Sequence, residues 1–138
     1  MKKLLSVFLT LVIVISCTGC SAALKGNTVN TKSAQEFVDM MGMGWNLGNT
    51  LDPINGNGDD LKYETSWGNQ LTQRELITYI KSQGFDTIRI PVSWGEHTDA
   101  APDYIIREPW FARVQEIVDW CVEEDMFVII NLHHDGEW

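Results

Sequence analysis

Polar side chains stand at the ends of three apolar stretches of this sequence. Asn46 closes the first stretch, Arg89 lies within the second, and His133 follows the run Phe127–Leu132. A buried arginine needs a carboxylate or a ligand as its partner, because an unpaired charge is costly away from water. The pattern therefore indicates a binding or catalytic site, although a histidine taken alone could equally be a core residue with a satisfied hydrogen bond.

The adjacent histidines His133 and His134 raise the question of a metal ion. Neighbouring residues of a strand point to opposite faces of the sheet, so the two rings are predicted to be poorly placed to chelate one metal. The Asp- and Asn-rich stretch from Pro53 to Tyr63 lacks the closing glutamate of a calcium loop and is interpreted as a solvated surface loop. These two stretches thus predict no metal site. No Gly-x-Gly-x-x-Gly follows a strand and there is no phosphate loop, so no cofactor is predicted either.

The strands that would position these residues are predicted at 43–46, 85–92 and 127–132. Helical patterns separate them, and strands alternating with helices predict an α/β fold with a parallel sheet. Polar residues near the carboxyl ends of all three strands favour a (β/α)8 barrel over a doubly wound sheet. Pro91 cannot donate to a ladder, so strand hydrogen bonding is predicted to fail near it.

Three helices are predicted from start signals and apolar stripes. Capping-box patterns predict helix starts at Ser33 and at Thr72. Pro109 suits the first turn of a third helix, on which Trp110, Val114, Val122 and other apolar residues recur at helical spacing. Cys121 lies on the same stripe and is predicted to be a core residue.

The composition narrows the class of partner. The chain carries 10 Lys+Arg against 19 Asp+Glu, a net charge of -9, which argues against nucleic acid as a partner. It also has six tryptophans, several of them beside Gly, Asn or Asp. Flat apolar rings near polar loops suit ligands with an apolar face and a hydroxyl rim, such as sugars.

Residues 1–20 have the pattern of a bacterial lipoprotein signal peptide. A charged start with two lysines precedes an apolar stretch that is too short for an ordinary membrane span. Cys17 or Cys20 is the predicted lipidation site, and residues 21–32 read as a polar tether. A soluble secreted protein cleaved after Ala23 remains the alternative. Either way the protein is expected outside the cell or on its surface, with a lipid anchor as its sole membrane contact.

Four blocks of sequence resemble glycoside hydrolase family 5, and in particular its endoglucanase and xyloglucanase branch. They are, in order, 44–52, 64–68, 84–94 and 128–134. The resemblance covers residues 33–138 and implies about the first three units of a (β/α)8 barrel. It also implies hydrolysis of cellulose or related β-glucans with retention of configuration, by one acid/base glutamate and one nucleophile glutamate.

The resemblance assigns roles to individual positions. Arg89 matches the arginine that braces the nucleophile carboxylate, and His133 matches a histidine of the inner site. Residues expected to contact sugar are Asn46, Asn49, Asp52, Trp94, His97, His134 and Trp138.

The chain ends soon after its third predicted strand, so neither catalytic glutamate is expected within it. Glu137 lacks the preceding asparagine of the acid/base residue and reads as a loop carboxylate. The chain alone is therefore expected to be inactive, and the protein is expected to be a monomer. A non-catalytic surface lipoprotein that binds glycans stays open as the alternative function.

Overall fold

The computed structural model describes residues 32–56 and 60–136. The predicted signal peptide, nearly all of the tether, both candidate lipidation cysteines, Glu137 and Trp138 lie outside these residues. In chain order the elements are α1 (Ala34–Met40), β1 (Gly44–Asn46), α2 (Arg74–Ser82), β2 (Thr87–Val92), α3 (Glu108–Glu123) and β3 (Phe127–Leu132). Short 3-10 helices occupy Asp60–Thr65 and Gly95–His97. None of the helices described here is long and apolar enough to cross a membrane.

The three strands form one parallel sheet in the order β1-β2-β3. Each crossover between neighbours passes through a helix, so successive β/α units lie side by side as in a (β/α)8 barrel. The register places Asn46 beside Arg89, and Val92 beside Leu132. The predicted α/β architecture is therefore confirmed, and the carboxyl ends of all three strands meet at one edge of the sheet.

Pro91 interrupts the ladder on one side of β2 only. Pairing with β3 continues past it to Val92, and the backbone N–H of His133 donates to the carbonyl of Val92 at 2.9 Å. On the β1 side, the bonds from Leu47 N to Arg89 O and from Ser93 N to Leu51 O flank Pro91. The chain that follows β1 leaves the sheet between those two bonds, so no acceptor lies opposite the nitrogen of Pro91, which cannot donate. The prediction that strand hydrogen bonding fails near Pro91 is therefore wrong for the pairing of β2 with β3.

The core lies between the sheet and α2 and α3. Ile88, Ile90 and Val92 of β2 are fully buried and face helix residues such as Ile77 and Ile117. The alternation of β2 explains this, because every second side chain points to the same face. Cys121 and Trp110 of α3 join this core as predicted, whereas Val122 is exposed, contrary to the prediction. Burial raises the pKa of the Cys121 thiol to about 12.

One of the two predicted capping boxes forms. Ser33 accepts from the backbone N–H of Glu36, whose carboxylate accepts from the Ser33 N–H at 2.6 Å. The predicted capping box at Thr72 does not form. The helix α2 begins at Arg74, and its N-cap residue Gln73 makes no side-chain capping hydrogen bond. Thr72 is buried instead, and its N–H donates to Glu64 Oε1 at 2.8 Å.

The stretch from Pro53 to Tyr63 is only partly a solvated loop, where it is described, because Asn55, Leu61 and Lys62 are exposed but other residues are held by the protein. Pro53 is fully buried, and the Asp60 side chain is 11% exposed and bonded to two other side chains. The 3-10 helix Asp60–Thr65 contains Glu64, which is completely buried. Its carboxylate meets the Arg113 guanidinium at 2.8 and 2.9 Å. The loop after β1 is therefore anchored to α3.

Candidate functional site

Arg89 and Asn46 form a polar pair across β1 and β2. Their Cα positions are in register, and Arg89 Nη1 donates to Asn46 Oδ1. Among the described residues, no carboxylate lies within ion-pair distance of Arg89. The observed partner of this cation is thus a neutral amide rather than the predicted carboxylate or ligand, and most of the guanidinium donors remain available to an anion or ligand.

Asp52 and His133 approach each other at the carboxyl edge of the sheet. Leu51 forms a parallel bridge with Val92, which brings the next residue, Asp52, beside the end of β3. The Asp52 carboxylate is buried, its Oδ1 accepts from Thr50 N at 2.8 Å, and its Oδ2 lies 3.9 Å from His133 Nε2. Two residues that are distant in sequence are thus joined in one polar cluster.

Ser93 holds this cluster in place. Its hydroxyl is fully buried and lies 2.8 Å from the carbonyl of Asp52 and 2.6 Å from the carbonyl of His133. The hydroxyl therefore links the loop after β1 to the end of β3 through the end of β2. Sequence reasoning did not single out Ser93, although its place directly after a buried strand was the available signal.

His134 departs from strand geometry. Its φ of 56° lies in the left-handed region, and its ring centroid is 4.1 Å from that of His133. The prediction that the two rings point to opposite faces is therefore wrong, because it assumed that the strand continues through residue 134. The exposed ring of His134 also makes a T-shaped contact with Trp67, with the ring centroids 5.6 Å apart. Trp67 is 42% exposed and is a rim aromatic that the predicted site residues did not include.

Asp135 orders the loop that follows β2. Its carboxylate accepts from the backbone N–H of Trp94 at 2.9 Å and from that of Gly95 at 2.8 Å. Trp94 is half-buried and packs against the core, so only part of its ring remains for a cleft wall. An open groove of about 930 Å³ is lined by residues from the loops after all three strands, among them Asn55, Glu96 and His134.

His97 does not line a cleft, contrary to the prediction. It is fully buried, stacks on Trp110 at 3.7 Å, and places Nδ1 2.8 Å from Asp60 Oδ1. Burial lowers the pKa of His97, while the nearby Asp60 carboxylate opposes that change. The role of His97 is therefore to pack the loop after β2 against α3.

Arg107 completes a charged cluster with Asp60 and His97. Its guanidinium bonds both oxygens of Asp60, with Nη2 to Oδ1 at 2.6 Å and Nε to Oδ2 at 2.8 Å. These hydrogen bonds hold the pKa of Asp60 at about 2, below its usual 3.8, and they raise the pKa of Arg107. The cluster joins the loops after β1 and β2 to the start of α3.

The low pKa of Asp60 predicts a loss of stability in acid. A carboxyl group with a depressed folded-state pKa contributes stability above its unfolded pKa, and that stability disappears as pH falls from about 4 to about 2. His97 adds to the loss of stability in acid, and its contribution begins below pH 6.5. Because burial lowers the pKa of His97 in the folded protein, protonation favours the unfolded chain. We expect Asp60→Asn to lower the free energy of unfolding by about 2 kcal/mol at pH 7. The variant should also lose less stability than the parent between about pH 4 and pH 2. Thermal melts from pH 7 to pH 3 measure this effect, and Asp103→Asn, at an exposed aspartate, is the control. The prediction is contradicted if the two variants show the same dependence of stability on pH.

Of the remaining predicted residues, Asn49 is exposed at a turn with a φ of 57°, close to Asp52 along the chain. Trp138 lies outside the described residues. The structure thus brings Asn46 to Arg89, and Asp52 to His133 and His134, while it removes His97 from the site.

Parallel β/α units with polar and aromatic residues at their carboxyl ends define a barrel protein with a rim site for polar ligands. Residues 54–138 match the family model described as cellulase, glycosyl hydrolase family 5. The chain belongs to that family. Endoglucanase A of Clostridium longisporum is 45% identical over 119 residues, and Endoglucanase A of Ruminococcus albus is 46% identical over 114. Both alignments cover 83% of this chain.

The fold is similar to that of solved glycoside hydrolase family 5 structures. A broad-specificity GH5-4 endoglucanase from Ruminococcus champanellensis with bound cellotriose superposes with a TM-score of 0.74 at 42% identity, covering 78% of this chain and 32% of that one. The chain spans only 23% and 31% of the length of the two endoglucanases named above.

Proposed function

We propose that this chain supplies the cation and the sugar-binding rim of a retaining endo-β-1,4-glucanase that acts on cellulose or related β-glucans. The observation that carries the proposal is Arg89, an inward-facing cation whose partner is the neutral Asn46. A cation with no carboxylate partner among residues 32–56 and 60–136, at the carboxyl edge of parallel strands, suits a nucleophile carboxylate supplied by another strand. The family membership and the endoglucanase relatives support the reaction and the substrate class.

The mechanism would be a double displacement. Two glutamates from strands beyond the three described here would flank the glycosidic bond about 5–5.5 Å apart. One would protonate the leaving oxygen while the other attacks the anomeric carbon, and water would then release the sugar. In this scheme Arg89 keeps the nucleophile ionised, and His133 with Asp52 presents polar atoms to the sugar hydroxyls. No metal or organic cofactor takes part in these steps.

The proposal is tested on the intact protein that carries this chain. Reducing-sugar release from carboxymethyl cellulose and xyloglucan should be measured, and the anomer formed first should be followed by proton NMR. We expect release of reducing ends with the β-anomer appearing first. The α-anomer first would contradict retention, and glycan binding without release would favour the non-catalytic lipoprotein.

We also propose that the protein is exported and lipidated on Cys17 or Cys20. The charged start, short apolar stretch and following cysteines of residues 1–20 support this. A diacylated cysteine anchors far more firmly than a single acyl chain. Replacing both cysteines by serine should move the protein from the membrane fraction to the medium, whereas Cys121→Ser should not. If the parent protein is already entirely in the medium, the proposed anchor is wrong.

A further inference from the structure

Asp52, His133 and His134 converge at the carboxyl edge of the sheet. Each offers one ligand atom, and these atoms all lie within 4.8 Å of one another. We propose that the three side chains form a binding site for a divalent transition-metal ion such as Zn²⁺.

Backbone geometry is what brings the two imidazoles together. In a continuous strand they would lie on opposite faces, but the left-handed φ of 56° at His134 turns its ring back toward His133. The ring centroids are 4.1 Å apart and tilted by 56°. Such an arrangement presents two nitrogens to the same region of space.

Only the first oxygen of the Asp52 carboxylate accepts a hydrogen bond from the described residues. Asp52 is only 4% exposed, and Oδ1 already accepts from Thr50 N at 2.8 Å. Among the described residues, Oδ2 has no hydrogen-bond donor, and its 3.9 Å separation from His133 Nε2 is too long for a hydrogen bond. Oδ2 therefore keeps its lone pairs free at the accessible edge of a mostly buried side chain, where they can bind a cation.

The donor set selects the class of metal. Two imidazole nitrogens with one carboxylate oxygen suit Zn²⁺, Cu²⁺ or Ni²⁺, whereas Ca²⁺ and Mg²⁺ prefer oxygen ligands alone. Metal–ligand distances are about 2.0–2.2 Å for these groups. Since the three atoms already lie within 4.8 Å of one another, each side chain has to move by less than about 1 Å.

Surrounding contacts hold the ligands in place. The Ser93 hydroxyl lies between the main-chain carbonyls of Asp52 and His133 and so fixes the backbone of both residues. The Trp67 and His134 rings make a T-shaped contact with their centroids 5.6 Å apart, which restrains the His134 ring. The exposed His134 leaves one side of the site open, where water or a ligand oxygen can complete the coordination.

Metal binding at these residues has a consequence for the sugar site. An ion held by His133 and Asp52 occupies atoms that would otherwise meet sugar hydroxyls, so Zn²⁺ should compete with glucan. This consequence rests on the proposed function, whereas metal binding itself does not.

The test is calorimetric titration of the tag-free, EDTA-treated full chain with ZnCl₂. Cys17 and Cys20 are replaced by serine in every sample, because those two thiols could bind zinc themselves. We expect one ion per chain, with the dissociation constant raised more than about 10-fold by His134→Ala and by Asp52→Asn. His134 is exposed, so its replacement should not impair folding. Asp103→Asn, at an exposed aspartate outside the cluster, should bind as the parent does.

A second readout identifies the ligands directly. Electron paramagnetic resonance of the Cu²⁺-loaded chain should show coupling to two imidazole nitrogens in the parent and to one in His134→Ala. The proposal is overturned if the parent takes up no Zn²⁺, or if uptake survives both His134→Ala and Asp52→Asn. Because these measurements need no substrate, they can succeed or fail whether or not the protein hydrolyses glucan.

Discussion

On the proposed function, replacing Arg89 by lysine in the intact protein should lower kcat by about 10²-fold or more while KM changes little. Arg89 already donates to Asn46 through Nη1. The rest of its planar fork can make a bidentate contact with the nucleophile carboxylate, which lysine cannot reproduce. The variant keeps the positive charge but loses the bidentate contact. We therefore expect it to stabilise the transition state less while it binds the substrate almost as well.

The control for this variant is Arg74→Lys. Arg74 is half exposed and pairs with Glu123 on the surface, so its replacement should leave kcat, KM and melting temperature nearly unchanged. Near-normal kcat in a folded Arg89→Lys enzyme would remove Arg89 from the active site. A melting temperature that fell in step with kcat would instead make Arg89 a structural residue.

Replacing Arg113 by alanine should lower the free energy of unfolding by about 3–5 kcal/mol. Glu64 is fully buried, and Arg113 meets both of its oxygens, at 2.8 and 2.9 Å. Arg113 Nη2 also donates to the carbonyl of Thr72 at 2.6 Å. Removing the arginine leaves a buried carboxylate without its cation and a carbonyl without its donor, and both are costly.

Urea denaturation of the intact protein measures this effect, and Glu116→Ala is the matched control. Glu116 contacts the same guanidinium but its side chain is 51% exposed, so its loss should cost less than about 1 kcal/mol. The double variant Glu64→Leu with Arg113→Met removes both charges and should recover part of the loss. Recovery should be incomplete, because the N–H and carbonyl of Thr72 lose their partners. A stability equal to the parent's in Arg113→Ala would show that the pair does not anchor the loop.

Local pattern was enough to predict the elements and their faces. The alternation in β2 placed Ile88, Ile90 and Val92 together, and all three are fully buried. The capping box at Ser33 was read correctly because its hydrogen bonds join residues three apart. The placement of Asn46 and Arg89 at one edge followed from parallel strands with polar residues near their carboxyl ends, although their direct hydrogen bond was not predicted. Periodicity and short-range hydrogen bonds are properties of the chain itself, so the sequence determines them directly.

Tertiary structure decided which partner each polar side chain meets. Thr72 could cap α2, but its N–H binds Glu64, which is held there by Arg113, 49 residues further along. His97 followed a strand end as a cleft residue would, yet Trp110 and Asp60 enclose it. These contacts join elements whose proximity depends on how the helices pack on the sheet, and no local pattern encodes that. The fold was thus readable from the chain alone, whereas the partners of its buried charges required the packed molecule.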